Sequence, residues 1–503
     1  MHSVSQATSF PRRGRLQADS GRYLLWLAGA VFLVGLSTIS SQNVTPVEFV
    51  YAGVLLAISI QAYISWSRKR STRIPIWALV CAAHFIFYGM AIFGALRKSP
   101  SVFDHGGDLP DSVLTTAILV GIVGLLSVGV GRMATMHVLG SKTFRLPVLE
   151  MGARTPARIQ TLLLLGTVAN LFGVPFFGTV VWNISTIAFS SLPLAAFLWL
   201  VLVRRFRGLS QLDFLLAIVF LATRVISGAR FNASLGTIVG PFLLMGVADV
   251  SLKRKLPWPM ITVAVCLIFF LQPGKTTIRH EMTRGEVGVG ITDAIVRWGE
   301  VSISGWEDVL EGRVPLDEQL SATSSRSSLL AMTGLILERT PETVPYQLGT
   351  SYPLLIKNLI PRVFWPDKPS VNVANQFFQV EYGLTDRQDL TSVSIACGFE
   401  AEGYMNFGWA GVLGIGLLVG SVLAIYELAF FSRGSTLTAI AVGLALLPGF
   451  LTIESQLVQY LGGILQLASA AAIVFHQAKR KRSSHGVQGT VQTERSPSTV
   501  ATR

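Results

Sequence analysis

Residues 407–431 read FGWAGVLGIGLLVGSVLAIYELAFF, an apolar run long enough to cross about 30 Å of hydrocarbon as a helix. Its glycines Gly411, Gly414 and Gly416 favour close packing against another helix within a membrane. Because they lie inside a span and do not follow a strand, they give no nucleotide-binding fingerprint. The run therefore predicts a transmembrane helix.

Apolar runs of this kind recur along the 503-residue chain, which is 51% hydrophobic and 14% charged. Its mean hydropathy of +0.54 lies outside the range of soluble domains. The first run follows several arginines but lacks a small-residue cleavage site, so we expect a retained span rather than a signal peptide. We predict an all-α polytopic integral membrane protein with about 12 transmembrane helices. The predicted spans are roughly 22–40, 46–66, 74–95, 112–130, 159–182, 184–203, 211–229, 233–250, 256–272, 407–431, 436–452 and 455–476.

The distribution of Lys and Arg indicates how these spans are oriented. Basic residues cluster in alternate loops, whereas the short loops at 41–45, 182–183 and 453–455 carry none. The positive-inside rule therefore predicts that both termini lie in the cytoplasm. The net charge of +13 is a topology signal and does not indicate nucleic-acid binding. The basic clusters are Arg12–Arg22, Arg68–Arg73, Arg132–Arg158, Arg204–Arg207, Lys253–Lys255, Arg433 and Lys479–Arg482.

Segment 273–405 falls on the outer face by the same rule. It carries 11 basic residues against 17 acidic ones, although the whole chain is basic. We predict one large, mostly helical periplasmic loop between spans nine and ten, with an amphipathic segment at 291–311 that lies on the membrane surface. The predicted organisation is a cytoplasmic segment 1–21, a nine-helix membrane region 22–272, the loop domain 273–405, a three-helix membrane region 406–476 and a basic, disordered cytoplasmic tail 477–503.

One stretch of this outer segment, residues 358–369, reads NLIPRVFWPDKP. Its prolines restrict the backbone around Arg362. A guanidinium binds two phosphate oxygens at once and stays charged, and Lys368 adds a second cation. Trp365 suits the depth of a membrane interface. The stretch therefore predicts a rigid loop that holds a lipid-linked pyrophosphate.

Further cations lie where the chain leaves the membrane on its outer side. Arg230 is the only arginine of a short outer loop, and Arg224 lies in apolar sequence, where a charge is costly and commonly functional. Arg230 is also explained by an interfacial anchor, and Arg224 by a buried ion pair or by snorkelling. A spacing of six residues directs the two side chains to different helix faces. The other outer cations are Lys275, Arg279, His280, Arg284 and Arg326.

The outer segment closes with EAEGYMNFG at residues 400–408. The carboxylate of Glu402 stands just before span ten, where it could accept a proton from an attacking hydroxyl, beside Tyr404 and Asn406. An acidic residue near a helix start is also favourable on structural grounds alone, because of the helix dipole. Glu400, His280 and Asp367 are competing candidates for the base.

Three elements of this region resemble a known family. Arg326 is followed by a VPYxxG-like element within Thr340–Tyr352, then by an IPRxxWPxKP element at Ile360–Pro369, then by an ExYxNFG element at Glu402–Gly408. Over about residues 326–415 the chain resembles the bacterial oligosaccharide repeat-unit polymerases, the Wzy-type or O-antigen polymerase families.

The resemblance implies a glycosyltransferase of the bacterial inner membrane, acting on its periplasmic face. It would join undecaprenyl-pyrophosphate-linked repeat units into O-antigen, capsule or exopolysaccharide, without nucleotide sugar, metal or other cofactor. The chain contains no Asp-x-Asp element, which fits stabilisation of the leaving pyrophosphate by protein cations. The expected partners are the lipid-linked oligosaccharide, membrane lipid, and a chain-length regulator and flippase of the same pathway, but no nucleic acid. The expected catalytic residues are Glu402, Arg362, Arg326, Arg279 and Arg230, and the expected substrate-binding residues are Lys368, Trp365, Tyr404, Lys275, Arg224 and Asn406.

Three other functions remain open at this point. An O-antigen ligase shares the many spans, the outer loop and the phosphate-binding arginines, and differs only in its acceptor. A lipid flippase or secondary transporter commonly has repeat-related halves, which this sequence does not display. If the protein were a structural partner of a secretion complex, the intramembrane Arg224 would have no evident role.

Overall fold

The computed structural model describes residues 44–69, 72–93, 109–140, 155–172, 187–204, 208–232, 234–253, 258–284, 293–315, 329–353, 355, 357, 365, 373–385, 395–432 and 435–475. Within these ranges the chain is helical and contains no β-strand. The helices that match predicted spans are α1 (Pro46–Lys69), α2 (Ile76–His84), α3 (Asp111–Gly140), α4 (Thr155–Phe172), α5 (Leu192–Val203), α6 (Gln211–Asn232), α7 (Leu235–Lys253), α8 (Trp258–Leu271), α13 (Phe399–Phe431), α14 (Leu437–Leu451) and α15 (Leu457–Phe475).

Segment 273–405, which is predicted to lie on the outer face and is called the outer segment below, is also helical where the structure describes it. It contributes α9 (Gly274–Arg284), α10 (Asp293–Leu310), α11 (Leu329–Arg339) and α12 (Val373–Glu381). A π-helical turn, Phe85–Gly89, and a 3-10 turn, Met90–Phe93, continue α2, and a second π-helical turn, Ile187–Ser191, precedes α5.

The starts of these helices follow ordinary local rules. Asp111 places an acidic side chain in the first turn of α3, where its negative charge interacts favourably with the positive end of the helix dipole. A proline lies in the first turn of α5. A backbone N–H at that position has no acceptor within the helix whichever residue stands there, so the proline loses no hydrogen bond. Thr436 caps α14, because its side chain accepts a hydrogen bond from the backbone N–H of Ala439 at 3.1 Å.

Among the described residues, four helices are long and apolar enough to cross a membrane, namely Pro46–Arg68, Asp111–Gly140, Gln211–Ala229 and Phe399–Phe431. Shorter apolar helices accompany them over Ile76–Ile92, Ala188–Val203, Leu235–Ser251, Pro259–Leu271, Leu437–Leu451 and Leu457–Ala472. These helices confirm the all-α class and favour a membrane-embedded protein. The span predicted at 22–40 and both termini lie outside the described residues, so twelve crossings and the orientation stay predictions.

The helix α10 covers most of the amphipathic segment predicted at 291–311. Trp298 donates its indole N–H to the carbonyl of Leu271 at 2.8 Å, and Trp306 donates to the carbonyl of Phe270 at 3.2 Å. These bonds tie α10 to the last turn of α8. Val296 and Ile303 on α10 remain about half exposed, at 56% and 50%. A location on the membrane surface remains a prediction.

The helices α11 and α12 form a small second core. Ile336 on α11 and Phe378 on α12 are fully buried in one apolar cluster, together with Met405 from α13. The hydroxyls of Thr340 and Tyr382 share a hydrogen bond of 2.5 Å at its edge. This cluster fastens the outer segment to the beginning of α13.

Among the described helices, α3 and α13 make the most extensive contact. The carbonyl oxygen of Leu417 leaves no room for a Cβ on Gly131, and the carbonyl oxygen of Val128 leaves none on Gly420. Small residues let the two backbones touch. Of the three glycines predicted to pack in this way, Gly416 lies against α3, whereas Gly414 has open space around its Cβ position and Gly411 meets Gly403 of its own helix. The contact sets the position of α13 and of everything built on its first residues.

The helix α13 folds back on itself at Phe407 and Gly408, both of which have non-helical backbone angles. The carbonyl oxygen of Gly403 leaves no room for a Cβ on Gly411. Eight residues span about 12 Å in a straight helix, so this contact requires a sharp reversal. We call residues 399–406 the short arm, residues 409–431 the long arm, and the two together the α13 hairpin.

Candidate functional site

Two of the motifs in the resemblance lie against each other. The backbone N–H groups of Gln347 and Leu348 donate to the carbonyls of Met405 and Asn406, at 3.1 and 3.2 Å. The reversal deprives these carbonyls of their usual helical partners, and the loop supplies replacements. The segment 344–352 therefore caps the short arm, although some fifty residues separate the two motifs in the sequence.

Both motifs place a glycine where an L side chain is strained. Gly349 has a φ of +86° and Gly408 has a φ of +59°. A Cβ on Gly408 would also lie 3.1 Å from the hydroxyl of Tyr346. The close approach of the two motifs thus depends on glycine at both positions.

Glu402 lies on the short arm with no exposed surface. Its Oε1 accepts a hydrogen bond from the hydroxyl of Ser351 at 2.8 Å, and its Oε2 accepts one from the backbone N–H of Leu457 at 2.6 Å. Leu457 is the first residue of α15, so Glu402 caps the positive end of that helix. The structural explanation, an acid at a helix start, therefore applies both to α15 and to its own helix, in whose first turn Glu402 lies.

Asn406 links Glu402 to the capping loop. Its side-chain N–H group donates to the carbonyl of Glu402 at 2.8 Å and contacts the Ser351 hydroxyl at 3.4 Å. Its side-chain oxygen accepts from the backbone N–H of Gly349 at 2.8 Å. Ser351 is half-buried, and its hydroxyl is bonded to the fully buried carboxylate. We call Glu402, Ser351 and Asn406 the polar triad.

Aromatic side chains surround the polar triad. The rings of Tyr346 and Tyr404 meet edge to face with centroids 6.4 Å apart, and Tyr404 meets Trp409 in the same way at 5.9 Å. Tyr352 lies against Phe407, which is 44% exposed. Burial and the neighbouring Glu402 carboxylate raise the pKa of Tyr352 above its ordinary value, so this phenol stays protonated.

The loop between α14 and α15 brings outer cations near this site. Burial raises the pKa of the Glu454 carboxyl, and the charge of Lys275 on α9 acts in the opposite direction. Glu454 lies three residues before Leu457, which Glu402 caps. Arg279 follows Lys275 by one helical turn on α9 and has an exposed side chain. The structure therefore brings Lys275 and Arg279 to the same side of the protein as the polar triad.

A second buried pair lies at the start of the short arm. The ring Nε2 of His84 is 2.7 Å from Oε1 of Glu400, and neither side chain has exposed surface. The ring Nδ1 lies 2.8 Å from the carbonyl of Val80. The second carboxyl oxygen of Glu400 has no hydrogen-bond partner among the described residues. Glu400 is thus engaged in the interior and is a poor candidate for a base that meets substrate.

A third pair lies at the other end of the long arm. Arg132 binds Glu427 with two hydrogen bonds of 2.8 and 2.7 Å, and Trp77 lies 5.7 Å from the guanidinium. Glu427 is 1% exposed and Arg132 15% exposed. Arg132 lies within α3, so it is part of the helix bundle rather than a loop charge. A bidentate pair of this kind fixes the register of α3 against α13.

The remaining predicted residues are placed as follows. Arg224 on α6 donates to the hydroxyl of Ser190 at 2.8 Å, and its Nε has no hydrogen-bond partner among the described residues. Among the described residues, no hydrogen bond or ion pair joins Arg224 to the polar triad. Arg230 lies on the last turn of α6, but its side chain is outside the described part, and Trp365 is half-buried. Outside the described residues lie Arg326, Arg362, Asp367 and Lys368, and the side chain of His280.

Cys397 lies immediately before the short arm and is fully buried. Its sulfur accepts a hydrogen bond from the Gln456 side chain at 3.4 Å. Burial, and secondarily the Glu402 carboxylate, raise the pKa of this thiol above its ordinary value. In the described ranges, no group of three His, Cys, Asp or Glu side chains is arranged to hold a metal ion.

Comparison with known protein families, with curated proteins and with solved structures finds no match to this chain.

Sequence reasoning missed Ser351, His84 and Glu427. A histidine and a glutamate inside predicted spans are signals of function or pairing that could have singled out two of them. Ser351 carries no such signal, because serine in a polar loop is ordinary and its partner is fifty residues away.

Proposed function

We propose that this protein is a polysaccharide polymerase, a glycosyltransferase that joins lipid-linked oligosaccharide repeat units on the periplasmic face of the bacterial inner membrane. One observation carries the proposal. Two polymerase-like motifs, distant in sequence, form one hydrogen-bonded unit around Glu402, at the corner of the α13 hairpin. A motif that resembles a family only by chance has no reason to assemble with a second one.

The proposed reaction is a displacement at the anomeric carbon of the growing chain. A hydroxyl of the incoming unit attacks that carbon, and undecaprenyl pyrophosphate leaves with the bonding electrons. Outer cations stabilise the departing charge, and we assign this role to Arg362, Arg326, Arg279 and Arg230, with Lys368 and Lys275 beside them. Preorganised charges of this kind commonly contribute about 10²–10³-fold to a rate. Glu402 receives the hydroxyl proton.

The test replaces Arg362 with alanine in the chromosomal gene. We expect Arg362→Ala cells to hold single repeat units on the carrier lipid and no polymer, while the protein is still present in membranes. The matched control is Arg313→Ala, because Arg313 is an exposed arginine of the same segment that pairs with Asp308. Polymer of normal length from a stably expressed Arg362→Ala protein would overturn the assignment.

Two alternatives give different products in the same experiment. An O-antigen ligase would leave long chains on the carrier lipid when it is inactive, rather than single units. A transporter is favoured by one specific observation, the broken helix α13 with the buried His84–Glu400 pair beside it, since transporters use discontinuous helices and intramembrane carboxylates. Purified protein supplied with lipid-linked units on its outer side would lengthen them only if it is a polymerase.

A further inference from the structure

The Glu402 carboxylate has no exposed surface, so a substrate hydroxyl has no direct access to it. Both of its oxygens accept hydrogen bonds, one from the Leu457 N–H and one from the Ser351 hydroxyl. A backbone N–H does not pass a proton on. The serine hydroxyl does, because it can donate a proton and accept one at the same time.

The surroundings of Ser351 leave that hydroxyl free to accept. It donates to Glu402 at 2.8 Å, and from the described residues it receives only a long contact of 3.4 Å from the Asn406 amide. A hydroxyl oxygen has two lone pairs, so one remains for an incoming group. Ser351 is half-buried, and its neighbours Thr350 and Pro353 are exposed, so this part of the described loop reaches the protein surface.

We propose that Ser351 is a catalytic residue that relays the proton of the acceptor sugar hydroxyl to Glu402. This inference rests on the proposed polymerase function. In the step, the acceptor oxygen bonds to the anomeric carbon, and the bond from that carbon to the phosphate oxygen breaks. The leaving diphosphate takes the electron pair. The acceptor proton moves to Ser351 Oγ while the proton of Ser351 moves to Glu402 Oε1, so Glu402 ends the step protonated.

The roles of the two neighbours follow from the same geometry. Leu457 anchors one carboxylate oxygen, which leaves the other directed at Ser351. Asn406 holds the short arm against the loop through Gly349, so that the 2.8 Å separation of Ser351 and Glu402 is maintained. Asn406 is therefore a positioning residue, and Ser351 is the group that meets the substrate.

The experiment uses the full-length protein in proteoliposomes. Its substrate is the lipid-linked oligosaccharide extracted from cells of the producing organism that lack this gene. The rate of chain extension is measured for wild type, Ser351→Ala, Ser351→Thr, Glu402→Gln and the Ser351→Ala/Glu402→Gln double variant. Ser421→Ala is the matched control, because Ser421 is a half-buried serine of α13 whose hydroxyl, among the described residues, donates to the carbonyl of Leu417 and has no contact with the polar triad.

We expect Ser351→Ala to lose about 10²-fold or more in rate, in line with loss of general acid–base catalysis. Ser351→Thr keeps a hydroxyl and should recover much of that loss. The double variant should be no slower than the slower single variant, since both changes interrupt one relay. Ser351→Ala leaves Glu402 Oε1 without its partner and should lower the unfolding temperature in detergent. Rates are therefore compared at a temperature at which every variant is folded, which separates a catalytic loss from a folding defect.

The outcomes distinguish this inference from the function beneath it. Full activity of Ser351→Ala with an inactive Glu402→Gln would overturn the relay and leave the polymerase standing. Independent, multiplying losses in the double variant would also overturn it, as would a Ser351→Thr protein as slow as Ser351→Ala. If neither wild type nor Ser421→Ala extends the chains, the proposed polymerase function is excluded, and the relay with it.

Discussion

At the scale of single residues, the hydrogen bonds of His84 define how many protons the His84–Glu400 pair holds. The carbonyl of Val80 can only accept, so the ring Nδ1 facing it carries a hydrogen. The 2.7 Å contact between Nε2 and the carboxyl then requires one further proton between them. The pair is neutral overall whichever partner carries that proton, which suits its complete burial.

A neutral pair predicts different effects for its two partners. Glu400→Gln keeps a donor toward Nε2 of His84, so we expect its thermal unfolding in detergent to resemble wild type. His84→Leu leaves the carboxyl buried without a partner and should cost about 3 kcal/mol. A His84→Leu protein as stable as wild type, measured by thermal unfolding of the purified protein, would contradict the shared proton.

The raised pKa of Cys397 makes a second prediction at this scale. The thiolate is the reactive form of cysteine, and burial disfavours it. We expect Cys397 to stay unmodified by a maleimide at neutral pH in the folded protein and to react after denaturation. Peptide mass spectrometry of the two samples gives the measurement. Rapid labelling of Cys397 without denaturant would show that the start of the short arm opens.

At the scale of elements, the reversal of α13 depends on the backbone of Gly408. Its φ of +59° with ψ of −142° lies in a region that only glycine occupies without strain. Gly414, six residues along the same helix, has open space around its Cβ position. Substituting each glycine in turn therefore separates the need for a glycine backbone conformation at the reversal from the general effect of replacing a glycine in a helix.

We expect Gly408→Ala to lower the free energy of unfolding by about 1–3 kcal/mol, because the turn is strained by a side chain. The same change should abolish the proposed polymer synthesis, since the short arm carries Glu402. Gly414→Ala should leave both quantities unchanged or slightly improved. Thermal unfolding and polymer length in cells are the measurements, and an active Gly408→Ala protein would show that the reversal is dispensable.

Some of these elements could be predicted from the sequence, and others could not. The apolar runs predicted helices correctly from 46–66 onward, because hydrophobic length is a local property. The fold-back of residues 399–406 was not predictable in this way. It depends on the contact between Gly403 and Gly411 and on hydrogen bonds from Gln347 and Leu348, which are tertiary. The motif at the end of the outer segment singled out Glu402, Tyr404 and Asn406. Ser351 could not be predicted, because only the fold shows that its hydroxyl is bonded to Glu402.

At the scale of the whole molecule, the orientation of the bundle decides whether the polar triad faces the periplasm. The positive-inside rule predicts that it does. Leu348 in the capping loop is 73% exposed, and Ser210 between α5 and α6 is exposed on the side predicted to be cytoplasmic. Cys81 and Cys397 are buried, so only Cys266 needs replacement before labelling.

We expect Leu348→Cys to react with a membrane-impermeant maleimide in intact spheroplasts, and Ser210→Cys to react only after permeabilisation. Both variants are made in a Cys266→Ala background, with that background protein as the control for labelling. A gel shift after each treatment gives the result. The reverse pattern, with Leu348 labelled only in permeabilised cells, would put the site on the cytoplasmic side and exclude a periplasmic reaction.

The glycine-lined contact between α3 and α13 also has a consequence for biogenesis. The ribosome delivers α3 to the insertion machinery early, yet α13 emerges only after the whole middle of the protein has been made. Until then the small-residue face of α3 has no native neighbour, and Arg132 has no carboxylate from Glu427. Any nascent chain that stops before Phe399 therefore holds an arginine without its carboxylate partner and a helix face without its packing partner.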